Sequence, residues 1–206
     1  MKTSGDTQVR EYDNDNVGRI ALFGLLLVLS LIVGAVKLVA QQMPSSNAAI
    51  RPFVGAYLPT GDQRDFLKDA VLVGAQASWS AMPQLALTGS FGWAPSKDKI
   101  TPGDQTIDAF QYDVGAEVKA PTTVGLVTPF IGAGIGGRTY SYRDLNVDTK
   151  TNVDGYGALG LDASVDILSA RIEARDYVSR FKPLTGGGDT KTRNDVALFA
   201  AIGVRF

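Results

Sequence analysis

From residue 50 to residue 206, apolar side chains alternate with small or polar ones in eight short segments. In Leu85-Ala-Leu-Thr-Gly-Ser-Phe-Gly-Trp93, Leu85, Leu87, Phe91 and Trp93 share one parity, and Ala86, Thr88, Ser90 and Gly92 share the other. A period of two is that of a β-strand, so the two sets occupy opposite faces. A soluble barrel would keep its bulky apolar residues inside. Here the apolar set is large and continuous and its opposite is glycine, serine and charge, the pattern of an inverted barrel with lipid outside and a polar filling.

The segments predict strands over about Ile50–Leu58, Ala70–Ala81, Leu85–Trp93, Ile107–Ala120, Thr128–Ser141, Asn152–Val165, Ala170–Val178 and Asn194–Phe206. Each is near the roughly 9–11 residues that a tilted strand needs to cross a bilayer. Leu58–Asp69, Pro95–Thr106, Tyr142–Thr151 and Ser179–Arg193 read as long hydrophilic connections; Met82–Gln84, Pro121–Gly125 and Asp166–Ser169 read as short ones. Long and short alternate strictly, as in barrels with long outer loops and tight periplasmic turns. The expected fold is therefore all-β: an eight-stranded antiparallel up-and-down transmembrane barrel. A soluble sandwich explains alternation in four or five segments less well when eight keep one register with charge on the non-apolar side.

The inward parity collects Asp113, Glu117, Asp154, Asp162, Glu173 and Asp195 with Arg51, Lys119, Arg138, Arg171, Arg175 and Arg205. Eight strands enclose only enough room for side chains, so buried charges must find partners. Asp113, Glu117, Lys119, Asp162, Arg171, Glu173 and Arg175 form the expected lumen charge cluster, structural in role, with Glu117, Lys119, Asp162, Arg171 and Glu173 paired low in the barrel. Gly132, Gly134 and Gly136 would thin the wall and give long side chains room. Trp79, Trp93, Phe110, Tyr112 and Phe206 have the outward parity near strand ends, where amphipathic rings favour the headgroup boundary. Asp108, Asp176 and Asn194 share it at the upper ends, where the wall should leave the lipid.

Ahead of the barrel, residues 20–36 form a charge-free apolar run followed by Lys37 and Leu38-Val39-Ala40. Residues 1–40 read as an export signal or a membrane anchor in the form of a hydrophobic helix, and 41–49 as a linker, leaving 50–206 for the barrel. The polar leader before the apolar run is long for an export signal.

Charge and composition remove several functions. The 20 basic and 21 acidic residues nearly cancel, so no field favours nucleic acid. Cys and His are both absent, which excludes thiol chemistry and removes the commonest general base. Asp98, Asp104, Asp144, Asp148 and Asp154 lack the spacing of a calcium loop. No cofactor or metal is expected.

Three stretches carry a resemblance: Pro129-Phe-Ile-Gly-Ala-Gly-Ile-Gly136, Glu173-Ala-Arg-Asp176, and the closing Phe199-Ala-Ala-Ile-Gly-Val-Arg-Phe206. With them, residues 50–206 resemble the small outer-membrane β-barrel family of Gram-negative bacteria, the OmpA-like and OmpX-like transmembrane domains. The resemblance implies export to the outer membrane, outer-membrane lipids as surroundings, and a monomer. It also implies that Ile202, Val204 and Phe206 form the C-terminal signal read by the barrel-assembly machinery.

The favoured function is then a non-enzymatic barrel serving envelope integrity or surface contacts through its outer loops. A narrow channel for small or hydrophobic solutes is the alternative. A barrel hydrolase or acyltransferase is disfavoured, because known barrel enzymes of those types resemble one another in using a His beside Ser or Asp, and this chain has no His. The first long loop, with Phe66 and Leu67 among its charges, reads either as an ordinary solvated loop or as a segment folded over the barrel mouth.

Overall fold

The structure, a computed structural model, describes residues 47–99, 105–143, 149–181 and 191–206. The expected signal or anchor over 1–40, most of the linker, and Asp104, Asp144 and Asp148 lie outside the described residues. Eight strands follow in chain order: β1 (Ala48–Pro59), β2 (Ala70–Ser80), β3 (Leu85–Lys97), β4 (Thr106–Lys119), β5 (Val127–Tyr142), β6 (Lys150–Val165), β7 (Leu168–Phe181) and β8 (Lys191–Arg205). Each pairs antiparallel with its sequence neighbours, and β1 pairs with β8 to close the barrel.

Strict alternation fixes the register, because a one-residue slip would turn every apolar side chain into the lumen. Val114, Ile131, Ile135, Leu159 and Ile172 are all more than 60% exposed on the outer wall, while Arg138, Arg171 and Arg175 are 1% exposed within. This inverts the usual distribution, in which arginine is almost never fully buried. It is the distribution that lipid outside and a filled interior require.

The short connections follow local chemistry. Gly125 adopts φ 65°, and Val124 and Val127 exchange backbone hydrogen bonds of 2.9 and 3.2 Å around it. Asp166 turns the β6–β7 hairpin at φ 53°, a conformation Asp tolerates better than most residues. At the closing seam, Ile50 pairs with Val204 and pairing resumes at Phe53 with Ala201. Pro52, with no N–H to donate, lies in that gap. A β-carbon at Gly203 would stand 1.9 Å from the Ile50 carbonyl oxygen, so the two strands pass here only because residue 203 has no side chain.

Two expectations about loops are corrected. β3 runs to Lys97 rather than ending at Trp93, because Ala94 and Ser96 continue the inward parity and are buried. β7 and β8 likewise extend to Phe181 and from Lys191, so the last connection is shorter than Ser179–Arg193. The strands outlast the apolar pattern, since backbone pairing continues where the outer face becomes polar. At that rim Trp93 Nε1 donates to Asp108 Oδ1 at 2.9 Å, and Arg143 Nη2 donates to the same oxygen at 2.8 Å.

Candidate functional site

Three arginines, Arg171, Arg175 and Arg138, organise the lumen, each pairing with carboxylates and lying over an aromatic ring. Lowest of the three is Arg171 on β7. Its Nη1 and Nη2 donate to the two oxygens of Glu117 on β4 at 2.6 and 2.8 Å, a bidentate pair across the interior. Asp162 and Glu173 each approach it at 3.3 Å. Lys119 donates to Asp162 at 2.8 Å, and Arg51 stands 3.6 Å from the same carboxylate. Gln76 completes the tier, accepting from Arg171 at 3.0 Å and donating to Glu173 at 3.1 Å.

Glu173 links this tier to the next, because Arg175 Nε donates to its other oxygen at 2.5 Å. Arg175 Nη1 also donates to Asp113 at 2.9 Å, and Asp113 accepts from Tyr177 at 2.9 Å and Ser90 at 3.2 Å. Above it, Arg138 on β5 donates to Asp195 on β8 and stands 3.6 Å from Asp154 on β6. The guanidinium of Arg171 lies 4.2 Å from the Phe130 ring centre, that of Arg175 4.7 Å from Tyr156, and that of Arg138 4.3 Å from Tyr177. The planar guanidinium can pair through its edge and stack through its face at once, which a lysine cannot do.

The wall glycines make this possible, though mostly for rings rather than for charged chains. A β-carbon at Gly115 would be 2.2 Å from Tyr156 Oη, and one at Gly134 2.5 Å from a Tyr156 ring carbon. One at Gly160 would be 2.5 Å from Phe130. Among the described glycines, Gly132 and Gly136 are the ones set against carboxylate side chains, those of Glu117, Asp113 and Asp154.

The structure thus brings together all seven residues named for the lumen cluster: Asp113, Glu117, Lys119, Asp162, Arg171, Glu173 and Arg175. Arg205, given the inward parity, is exposed at the foot of β8 and donates to Ser164 at 3.0 Å, because the wall opens to solvent there. Ile202 faces outward, as its parity requires, and Val204 and Phe206 are half-buried. Sequence reasoning missed Tyr177, whose inward parity was legible but which carries no formal charge. It also missed Arg193 and Asp98, both buried but assigned to loops.

The first loop packs against the rim and the upper core. After a short 3-10 turn (Gly61–Asp65), Leu67 is 3% exposed and bridges to Asp98 in an antiparallel pair. Lys68 N donates to Lys97 O at 3.0 Å and Lys99 N to Phe66 O at 2.9 Å, so the loop adds a short extra strand to the rim. Phe66 packs on the barrel core and under the Arg193 guanidinium, 4.2 Å away. Among the described residues, no group of three or more Asp or Glu is placed to hold a metal ion.

The sequence matches no protein-family model and no curated protein. Solved structures do resemble the fold. Neisserial surface protein A superposes with a TM-score of 0.61 over 80% of this chain and 100% of that one, at 14% identity. The outer membrane protein OprG from Pseudomonas aeruginosa gives 0.53 over 81% and 98%, at 13% identity. The N-terminal β-barrel domain of OprF, also from Pseudomonas aeruginosa, gives 0.51 over 78% and 99%, at 12% identity. The fold is that of the small eight-stranded outer-membrane barrels.

Proposed function

We propose that this chain is a closed, non-enzymatic barrel of the bacterial outer membrane that contributes to envelope integrity or surface contact through its outer loops, not to permeation. One observation carries the reading: the guanidinium of Arg171, the carboxylates of Glu117 and Glu173 and the guanidinium of Arg175 are joined side by side across the lumen. A column of this kind fills the cross-section where a pore would have to run. Phe66 and Leu67, which the first loop packs on the upper core, support the same reading. The chain has no histidine to serve as base, and Asp113, the carboxylate beside Ser90, is engaged by Arg175 and Tyr177, which favours a structural role over catalysis.

The surroundings in this reading are outer-membrane lipids, which meet the apolar wall. The barrel-assembly machinery is the partner during biogenesis, reading Ile202, Val204 and Phe206 on the last strand. Nucleic acid is not a partner, and the folded unit is a monomer. Planar-bilayer recordings of the purified full chain test the proposal. Silent membranes at protein levels that insert a known porin support it; discrete conductance steps would favour the channel reading instead.

A further inference from the structure

Near the β2–β3 turn the outer wall is dented rather than smooth. Register sets Ile50, Ala77, Gly89 and Val114 in one row across β1 to β4, so two small outward residues stand between two exposed branched ones. One row nearer the turn, Trp79 and Leu87 are paired and both exposed. Ile50, Ala77, Trp79, Leu87 and Gly89, with the closing Phe206, line an open cavity of about 340 Å³. Phe206 is held there by backbone hydrogen bonds of 2.9 and 3.1 Å exchanged with Ala48. A β-carbon at Gly89 would meet only the Asp113 carbonyl oxygen, 3.8 Å away, so the floor is open space. Ala75, the next outward residue on β2, is also small and exposed, and carries the trough on toward mid-barrel.

A trough left empty in a lipid-facing wall forfeits the dispersion contacts of every group that lines it. Its shape selects what fills it. The floor spans two neighbouring strands, about 5 Å apart. A helix of about 10–12 Å with its side chains does not enter; an extended hydrocarbon chain does. Ile50, Leu87, Trp79 and Phe206 then touch that chain from the sides, so it gains more contact than a chain lying on the flat wall. Depth selects the leaflet. The short turns mark the periplasmic end, and Trp79 beside one of them has the amphipathic ring favoured at the headgroup boundary. On the outer-membrane reading, we infer that this trough seats one acyl tail of a periplasmic-leaflet phospholipid, which enters past Trp79 and runs over Ala77 and Gly89. The seat holds an individual lipid, unlike the rest of the wall, where tails exchange freely.

Native mass spectrometry of the full chain in detergent, supplied with palmitoyl-oleoyl phosphatidylethanolamine, tests the seat. One phospholipid retained per chain is expected. Gly89→Leu fills the floor and should cut retention severalfold. Gly157→Leu puts the same bulk at an outward glycine on β6 with nothing within 4 Å, and should leave retention unchanged. Equal retention in the two variants overturns the proposal. So does a dimer that Gly89→Leu abolishes, which would give the trough to a second copy of the chain. A further measurement leaves the trough intact: after Trp93→Phe the remaining tryptophan is Trp79. Phosphatidylethanolamine brominated along its tails, titrated into that protein in detergent, should quench Trp79 and saturate at one lipid per chain. Quenching that climbs with added lipid and never saturates means adventitious contact and also overturns the proposal. Failure of the outer-membrane reading itself looks different, since a spin label at Ile135, far from the trough, would then report water.

Discussion

Arg171 and Glu117 stand three strands apart in the barrel wall and meet through two parallel hydrogen bonds of 2.6 and 2.8 Å, both side chains at most 3% exposed. Removing one partner of such a pair leaves an uncompensated buried charge, at about 3–5 kcal/mol, whereas replacing both by apolar groups is often neutral. Arg171→Met should therefore lower the stability of the lipid-embedded barrel by about 3–5 kcal/mol in urea titrations followed by tryptophan fluorescence. Adding Glu117→Gln should recover part of that loss. Additive losses in the double variant would mean the two side chains are not coupled.

Glycines that look alike in sequence should respond differently. A β-carbon at Gly134 would collide with Val114 O at 2.3 Å and the Tyr156 ring at 2.5 Å, while one at Gly157 meets nothing within 4 Å. Gly134→Ala should strain the wall by about 1–3 kcal/mol, the usual scale of overpacking. Gly157→Ala should be neutral or slightly stabilising, since alanine has less backbone freedom to lose. Gel mobility of heated and unheated samples reads both; equal behaviour of the two variants would contradict the assigned faces.

The first loop should open by itself. Phe66 and Leu67 are held by rim pairing and by Arg193, apart from the ion-pair tiers. Truncating both to alanine should speed proteolysis within residues 60–69 severalfold while leaving the global unfolding midpoint nearly unchanged, as for a local opening. A matching fall in global stability would show the loop to be part of the barrel's cooperative unit.

By contrast, the rim pair of Arg143 with Asp108 joins a half-exposed guanidinium to a partly exposed carboxylate. Arg143→Ala should change stability by no more than about 1 kcal/mol, less still in high salt. The same urea titrations measure it, and a loss matching that of Arg171→Met would overturn the distinction between rim and lumen.

What was legible in the sequence is what a period of two encodes. Parity alone placed Arg171, Glu117 and Asp162 inside and Val114 and Leu161 outside, and proximity to the same end of their strands suggested that the charges would meet. Parity does not say which carboxylate receives which guanidinium, since that depends on the stagger between strands distant in the barrel. It gave no warning that Arg138 would face Asp195 while Asp154 went without a hydrogen bond. Arg193 and Asp98 were hidden for another reason: the strands continue past the last apolar residue, where alternation stops marking them. Phe66-Leu67 could be read two ways because two apolar residues in a polar loop have no period at all.

The measurement that bears most directly on the whole account is the environment of the outer wall. Spin labels introduced singly at Val114, Ile135 and Leu161 in lipid vesicles should collide with dissolved oxygen and be shielded from a water-soluble nickel relaxant, with a label at Thr60 showing the opposite. Strong nickel relaxation at the three wall positions would mean that these side chains face water, and an inverted barrel filled with ion pairs would no longer describe this protein.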